Sequence, residues 1–197
     1  MIIGLSGKKR AGKDSLAEHL IRNHGFIKVA FADPLRDITY DLNPWIVGVN
    51  RRKARLQTLY TKCGGWEGIK AEDNWSGEVR RIMQVLGVSV RDNVGPETWV
   101  NAAMERVREF VADNIPVVMT DMRFPNEVEI VRSNGGLIVR IERDSLPAES
   151  LKDQHVSETL LDNMSILRPE LIINSDPFHD FHARAERELN LIKTVAV

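Results

Sequence analysis

Gly7, Gly12 and Lys13 stand at the spacing G-x-x-x-x-G-K within the first sixteen residues, MIIGLSGKKRAGKDSL. Residues of these types at this spacing bind phosphate. Glycine lets the backbone wrap an anion closely enough for successive N–H groups to meet it. A helix beginning at the loop adds unpaired N–H groups and the positive end of its dipole. Lys13 adds a mobile point charge that reaches the β- and γ-phosphates of a nucleotide. Gly7, Lys8, Ala11, Gly12, Lys13, Asp14 and Ser15 are therefore the expected cofactor-binding residues, and Lys8, Lys9 and Arg10 make the loop cationic. Where the usual loop carries Ser or Thr to put a hydroxyl on Mg2+, this one has Asp14, and the hydroxyl follows at Ser15. Asp14 is either a hard oxygen ligand for the ion or a cap for the helix; the sequence leaves both open.

A second set of chemical groups lies far down the chain. Residues 116–121 (PVVMTD) form a continuous apolar run ending in Asp121, as in a buried parallel strand with a carboxylate at its C-terminal tip. In phosphoryl-transfer enzymes such an acid holds Mg2+ or its water. Arg123 follows two residues later. Arg36 lies just beyond Ala32-Asp33-Pro34, where Asp33 is placed to cap a helix with Pro34 in its first turn. His155 has no second His or Cys at ligand spacing, which sets zinc aside there. Cys63 is the one cysteine, with no nearby His to activate it, so an inert thiol is expected.

The elements that must position these groups alternate. Residues 1–5 read as a strand, and Leu16, Ala17, Leu20 and Ile21 begin a helical apolar stripe. Further strands are expected at 26–31, 116–121, 137–142 and 171–174. Helices are expected after Asp33, over 78–87, after Gly95-Pro96, from Pro125, and from Phe178 onward. Strand alternating with helix predicts a three-layer α/β/α fold on a five-stranded, doubly wound parallel sheet with right-handed crossovers. Residues 43–77 are the least regular. Their run Arg51-Arg52-Lys53-Ala54-Arg55, with Trp45 and Trp66 nearby, reads as the solvated face of a substrate-covering insertion rather than a nucleic-acid contact. Residues 144–157 are polar and lid-like.

Composition bounds the rest. A chain of 197 residues suits one domain, 1–197, carrying a small mobile subdomain. A net charge of −1 argues against a stable nucleic-acid partner. One cysteine, no room for a signal peptide before the first strand, and no apolar run long enough to span a membrane predict a cytoplasmic protein.

Several stretches then look familiar together: GKKRAGKDS (7–15), FADPLR (31–36), GWEGIK (65–70), EVRRIMQVLG (78–87), Trp99, TDMRFPNEVE (120–129) and HVSE (155–158). With them the chain resembles the phage-type deoxynucleoside monophosphate kinases, within the P-loop nucleoside monophosphate kinase superfamily. The GKD form of the loop is shared with phosphomevalonate kinases; the run from Asp121 to Glu127 is the more discriminating. The segment after Leu86-Gly87 is a residue shorter than the family's usual form, which bears on Arg91. The resemblance implies transfer of the ATP γ-phosphoryl group to a deoxynucleoside monophosphate. ATP and Mg2+ would be the cofactors, small molecules the partners, and host cytoplasm the location if the chain is phage-encoded; a homodimer is left open. It implies catalytic roles for Lys13, Asp121, Arg123 and Arg143, the last with Arg140 as a second lid-side candidate. It implies metal ligation by Asp14, Ser15 and Asp121. Asp33, Arg36, Arg81, Gln84, Arg91, Trp99 and Arg123 would bind substrate. The competing expectations are another GKD-type kinase, phosphomevalonate kinase above all, and a nucleic-acid-stimulated ATPase.

Overall fold

β1 (Ile2–Ser6) is buried at every residue and holds the centre of a five-stranded parallel sheet. In the computed structural model, which describes residues 1–146, 161 and 167–195, the strand order is β2-β5-β1-β6-β7. The partners are β2 (Ile27–Val29), β5 (Val117–Met119), β6 (Leu137–Glu142) and β7 (Leu171–Asn174). Ile3 pairs with Val118 on one side and Leu137 on the other, and β6 continues the ladder to β7. Central strands so enclosed read as apolar runs rather than as alternating ones, and the edge strands β2 and β7, each with one exposed residue, also fall within the predicted stretches.

The chain divides into two compact units. The first is Met1–Phe31 with Ala103–Val197; the second is Ala32–Ala102. In the first, Ile3, Leu5, Leu16, Leu20, Val118, Val139, Ile141, Phe181 and Leu189 share one core, to which α1 (Lys13–His24) and the last described helix contribute. Helix α7 (Pro125–Ser133) follows β5 in the same unit.

The second unit has its own core of Ile46, Leu56, Leu59, Ile69 and Val79. It holds α2 (Asp33–Leu42), a hairpin of β3 (Trp45–Val47) and β4 (Lys53–Arg55), α3 (Leu56–Cys63), α4 (Trp66–Ala71) and α5 (Asp73–Asn93). Helix α6 (Thr98–Ala112) leads the chain back to the first. Helix α5 is 21 residues long and runs through Gly87, beyond the expected 78–87. The Arg51–Arg55 region makes the hairpin: Trp45 pairs with Arg55 across the strands, and the Arg55 guanidinium lies 4.5 Å from the centre of the Trp45 ring. That cation–π contact and the Arg55 bond to the Asn43 carbonyl give the basic run a structural use. Asp33 is the first residue of α2 rather than its cap. The cap position belongs to Ala32, and the Asp33 carboxylate accepts from Arg36 Nη1 at 2.9 Å, one turn along.

Residues 147–157, the greater part of the expected lid, and His155 with them, lie outside the described residues. The last helix, here α8 (Phe181–Val195), is preceded by a 3-10 turn, Phe178–Asp180.

Candidate active site

Chain geometry makes the loop at 7–12 a tight turn between β1 and α1. Gly7 leaves β1 with φ of 148°, and a Cβ there would collide with the Ile141 carbonyl of β6. Gly12 caps α1 with φ of 111°, and a Cβ would press on the Phe181 ring at 3.2 Å. Both positions demand glycine, by conformation and by space. Between them Ala11 N–H donates to the Lys8 carbonyl at 3.1 Å, and Arg10 takes φ of 67°, a region costly for a side-chain-bearing residue and concentrated at ligand sites. The Lys13 ammonium donates to the Gly7 carbonyl at 2.6 Å and to the Lys8 carbonyl at 2.8 Å, which stations the cation over the loop.

Asp14 is the second residue of α1. Gly12, with no side-chain capping bond, occupies the cap, so the capping alternative for Asp14 is set aside. Its carboxylate is exposed and accepts from Lys28 Nζ at 3.1 Å. The Ser15 hydroxyl lies 2.8 Å from His182 Nε2 on α8. Burial, and then the neighbouring His19, push the His182 imidazole below its usual range, although Glu186 opposes them. A neutral ring can accept the Ser15 proton and leave the hydroxyl lone pairs free.

Arg143 follows β6 and meets the loop. Its guanidinium lies 3.5 Å from the Arg10 carbonyl, 3.4 Å from the Asp176 carboxylate and 5.7 Å from the centre of the Phe178 ring. The Asp176 carboxyl is held below its usual range chiefly by the Ser145 N–H at 2.7 Å, then by the Ser145 hydroxyl and Arg143. Asp176 thereby fixes the arginine. Arg10, Gly12, Lys13, Asp14, Ser15, Arg143 and Phe178 line one cleft of about 190 Å3. Three cationic side chains, a helix N-terminus and an aromatic face give the cleft a positive, anion-attracting lining. Arg10, read from sequence only as part of the loop's positive charge, and Phe178, read only as the start of the last helix, join the expected residues here. Arg140, the alternative to Arg143, is buried in β6 with its guanidinium 3.4 Å from Ser6 Oγ.

At the tip of β5, Asp121 Oδ1 accepts the Phe31 N–H at 2.9 Å, so the carboxylate is tied to the end of the β2 segment. Arg123 is exposed two residues on. Behind it Glu127, which sequence reasoning overlooked, is buried and accepts the N–H groups of Arg123 at 2.5 Å and Phe124 at 3.0 Å. It is the N3 half of a capping box whose other half is missing, since Phe124 at the cap has no acceptor. Burial raises the Glu127 carboxyl to about 7, and the charge of Asp121 adds to the rise, against the two N–H bonds.

The remaining expected residues belong to the second unit. Arg36 is paired with Asp33; Arg81 forms a two-pronged ion pair with Glu78, at 2.7 and 2.9 Å, that lowers the Glu78 carboxyl. Gln84 and Arg91 lie on α5, Arg91 in its last turn. Trp99 is buried, and its indole N–H donates to the Gly87 carbonyl at 3.0 Å, a tie between α6 and α5.

Against known proteins, the family model for deoxynucleotide monophosphate kinase matches residues 66–183, more than half of the chain. A protein of Acanthamoeba polyphaga mimivirus provisionally named a deoxynucleotide monophosphate kinase is 27% identical over 200 residues, covering 93% of each chain. The deoxynucleotide monophosphate kinase of Escherichia phage RB69 is 23% identical over 249 residues, covering 95% of this chain and 99% of the phage protein. Among solved structures, dephospho-CoA kinase from Campylobacter jejuni superposes with a TM-score of 0.57 at 13% identity, over 100% of this chain and 98% of that one. A likeness at that identity speaks to the fold alone: an α/β architecture around a parallel sheet. No helix among the described residues is long and apolar enough to cross a membrane. The match over residues 66–183 identifies the chain as a member of the deoxynucleotide monophosphate kinase family.

Proposed function

We propose that the 7–15 loop is the ATP site of a kinase that passes the γ-phosphoryl group to the 5′-phosphate of a deoxynucleoside monophosphate, giving the diphosphate. The observation that carries this reading is the cleft in which Gly12, Lys13, Asp14, Ser15 and Arg143 face one another at the C-terminal end of β1. Phosphoryl transfer needs little covalent help. It needs two anionic groups brought into line and their charge neutralised. The α1 N-terminus and Lys13 hold the donor phosphates. Arg143, braced by Asp176, brings a planar two-pronged donor to the same cleft. Phe178 offers its exposed face to the apolar part of the nucleotide.

Mg2+ fits the donors present. Asp14 is an exposed carboxylate within the cleft, Asp121 a fixed one, and the Ser15 hydroxyl, 2.8 Å from His182 Nε2, offers its lone pairs when it donates to that ring. Asp14, Asp121 and Ser15 would hold such an ion, which would supply neutralisation of the phosphate charge. Arg123 presents an exposed guanidinium just past Asp121, suited to a two-pronged grip on phosphate. Roles for Asp33, Arg36, Arg81, Gln84, Arg91 and Trp99 on the acceptor rest on the sequence resemblance. For Arg36 and Arg81 they require exchanging an intrahelical carboxylate for a phosphate.

The test is ADP formation from ATP with each deoxynucleoside monophosphate, each ribonucleoside monophosphate and mevalonate phosphate in turn. The expected result is turnover with at least one deoxynucleoside monophosphate and none with mevalonate phosphate. ADP formation that ignores every nucleotide acceptor, or that responds only to added DNA or RNA, overturns the reading.

A further inference from the structure

Outside the phosphate cleft, two imidazoles and a carboxylate converge between α1 and α8. His19 and His24 both direct Nε2 at one oxygen of Glu186, at 3.0 and 2.7 Å. The rings are 5.9 Å apart, tilted by 56°, and all three ligand-capable atoms lie within 4.8 Å of one another. We propose that His19, His24 and Glu186 form a binding site for a divalent transition-metal ion, Zn2+ above all, with three protein ligands and one position open.

Distances decide whether the cluster can accept an ion. Tetrahedral Zn2+ bonds of about 2.0–2.2 Å to N and O put its ligand atoms roughly 3.3–3.5 Å apart. The nitrogen–oxygen separations of 2.7 and 3.0 Å therefore need to open by about 0.3–0.8 Å, and the two nitrogens, which lie within 4.8 Å of each other, must come to the same spacing. What the ion replaces is the two imidazole–carboxylate hydrogen bonds to Glu186, each neutral ring binding through Nε2 with its proton on Nδ1. Asn23 Nδ2 lies 3.0 Å from His19 Nδ1 and donates to the His19 carbonyl at 3.1 Å, which helps set the orientation of that ring. Side-chain exposures of 17% for His19, 29% for His24 and 36% for Glu186 leave an entry path without dissolving the site in solvent. Asn190, one turn beyond Glu186, lines a small apolar-walled cavity with His24 and Glu186. His182 stacks on His19 at 4.6 Å but stays out of the ligand set, its Nε2 being engaged by Ser15.

The ligand chemistry separates this site from the magnesium site proposed at the phosphate loop. Two imidazole nitrogens favour Zn2+ and its transition-metal neighbours, whereas Mg2+ takes an octahedron of oxygens. The contribution would be structural. An ion here cross-links helices whose ligands stand 162 residues apart in the chain.

The test uses the full chain, stripped with chelator and titrated with Zn2+ in excess Mg2+ by calorimetry, with Co2+ substituted in parallel. The expected result is one equivalent of Zn2+ per chain and the strong visible absorption of low-coordinate Co2+. His24→Gln and Glu186→Gln should each weaken Zn2+ binding by at least about 100-fold, the scale reached when a ligand shell is broken. Cys63→Ser, which removes the one thiol of the chain, should leave it unchanged. Absence of stoichiometric binding by the wild-type chain overturns the proposal, as does undiminished binding in the His24→Gln/Glu186→Gln chain. A six-coordinate or thiolate-type Co2+ spectrum from the wild type overturns it without reference to any variant.

Discussion

Raising the pH from 5 to 8 should destabilise the first unit through one side chain, Glu127. Its carboxyl titrates near the ordinary 4.5 when unfolded and at about 7 when folded, because burial penalises the charged form and Asp121 repels it. The folded state therefore holds a proton across this window that the unfolded state has released. The stabilisation is fully present below about pH 4.5 and is lost as the pH rises through about 7. At 1.36 kcal/mol per pKa unit the loss is about 3 kcal/mol, a large share of a domain's net stability. His182 works in the opposite sense over part of the same window. Its depressed pKa means that the folded state resists protonation, so its contribution grows as the pH rises toward 6.5. The difference between wild type and Glu127→Gln isolates the carboxyl, since the amide oxygen keeps an acceptor for the Arg123 and Phe124 N–H groups and does not titrate. Urea unfolding followed by circular dichroism at pH 5, 6, 7 and 8 is the assay. The stability of wild type relative to Glu127→Gln should fall by about 3 kcal/mol from the lowest pH to the highest. A difference that does not change with pH refutes the reasoning.

Other perturbations follow from the same geometry. Asp14→Asn should weaken the apparent Mg2+ affinity in a titration at saturating ATP, and Asp14→Thr should restore part of it; three superimposable curves would remove Asp14 from the metal site. Arg123→Lys, which trades a planar fork for a point charge, should cost far more in kcat/KM than Arg52→Lys on the exposed hairpin turn, and equal small effects would count against the Arg123 role. Gly7→Ala meets both a left-handed φ and the Ile141 carbonyl, so it should lower Tm by several degrees in a thermal melt and depress activity with it; an unchanged Tm would show that the loop relaxes freely.

Sequence alone reached the central strands because enclosed parallel strands are written as apolar runs, and it reached β2 and β7 because their short runs stay mostly apolar at the sheet edges. Residues 137–142 (LIVRIE) matched β6 from end to end. It missed the hairpin because β3 and β4 have three residues each, too short for a period, and because the charge of Arg55 conceals its pairing with Trp45. It stopped α5 too early at Gly87, although a glycine there lets Leu35 come within 3.3 Å of where a Cβ would stand. The loop from Gly7 to Ser15 was legible because its chemistry is local. His182 was not, standing 167 residues from Ser15, nor was Asp176, which braces Arg143 from 33 residues away by chain number. Glu127 carried a partial signal, an acid three residues into a helix beginning at proline, but Phe124 in place of Ser or Thr at the cap hid it.

The central claim is that Lys13, held over its loop by the Gly7 and Lys8 carbonyls, supplies the charge on which phosphoryl transfer to a deoxynucleoside monophosphate depends. Its most direct test is the initial rate of ADP formation by wild type and Lys13→Ala, with ATP, Mg2+ and the best deoxynucleoside monophosphate all saturating. The loss in kcat should be on the order of 100- to 1,000-fold, the scale of one preorganised electrostatic group, with the circular dichroism spectrum unchanged. A folded Lys13→Ala chain turning over within about twofold of wild type would contradict the account.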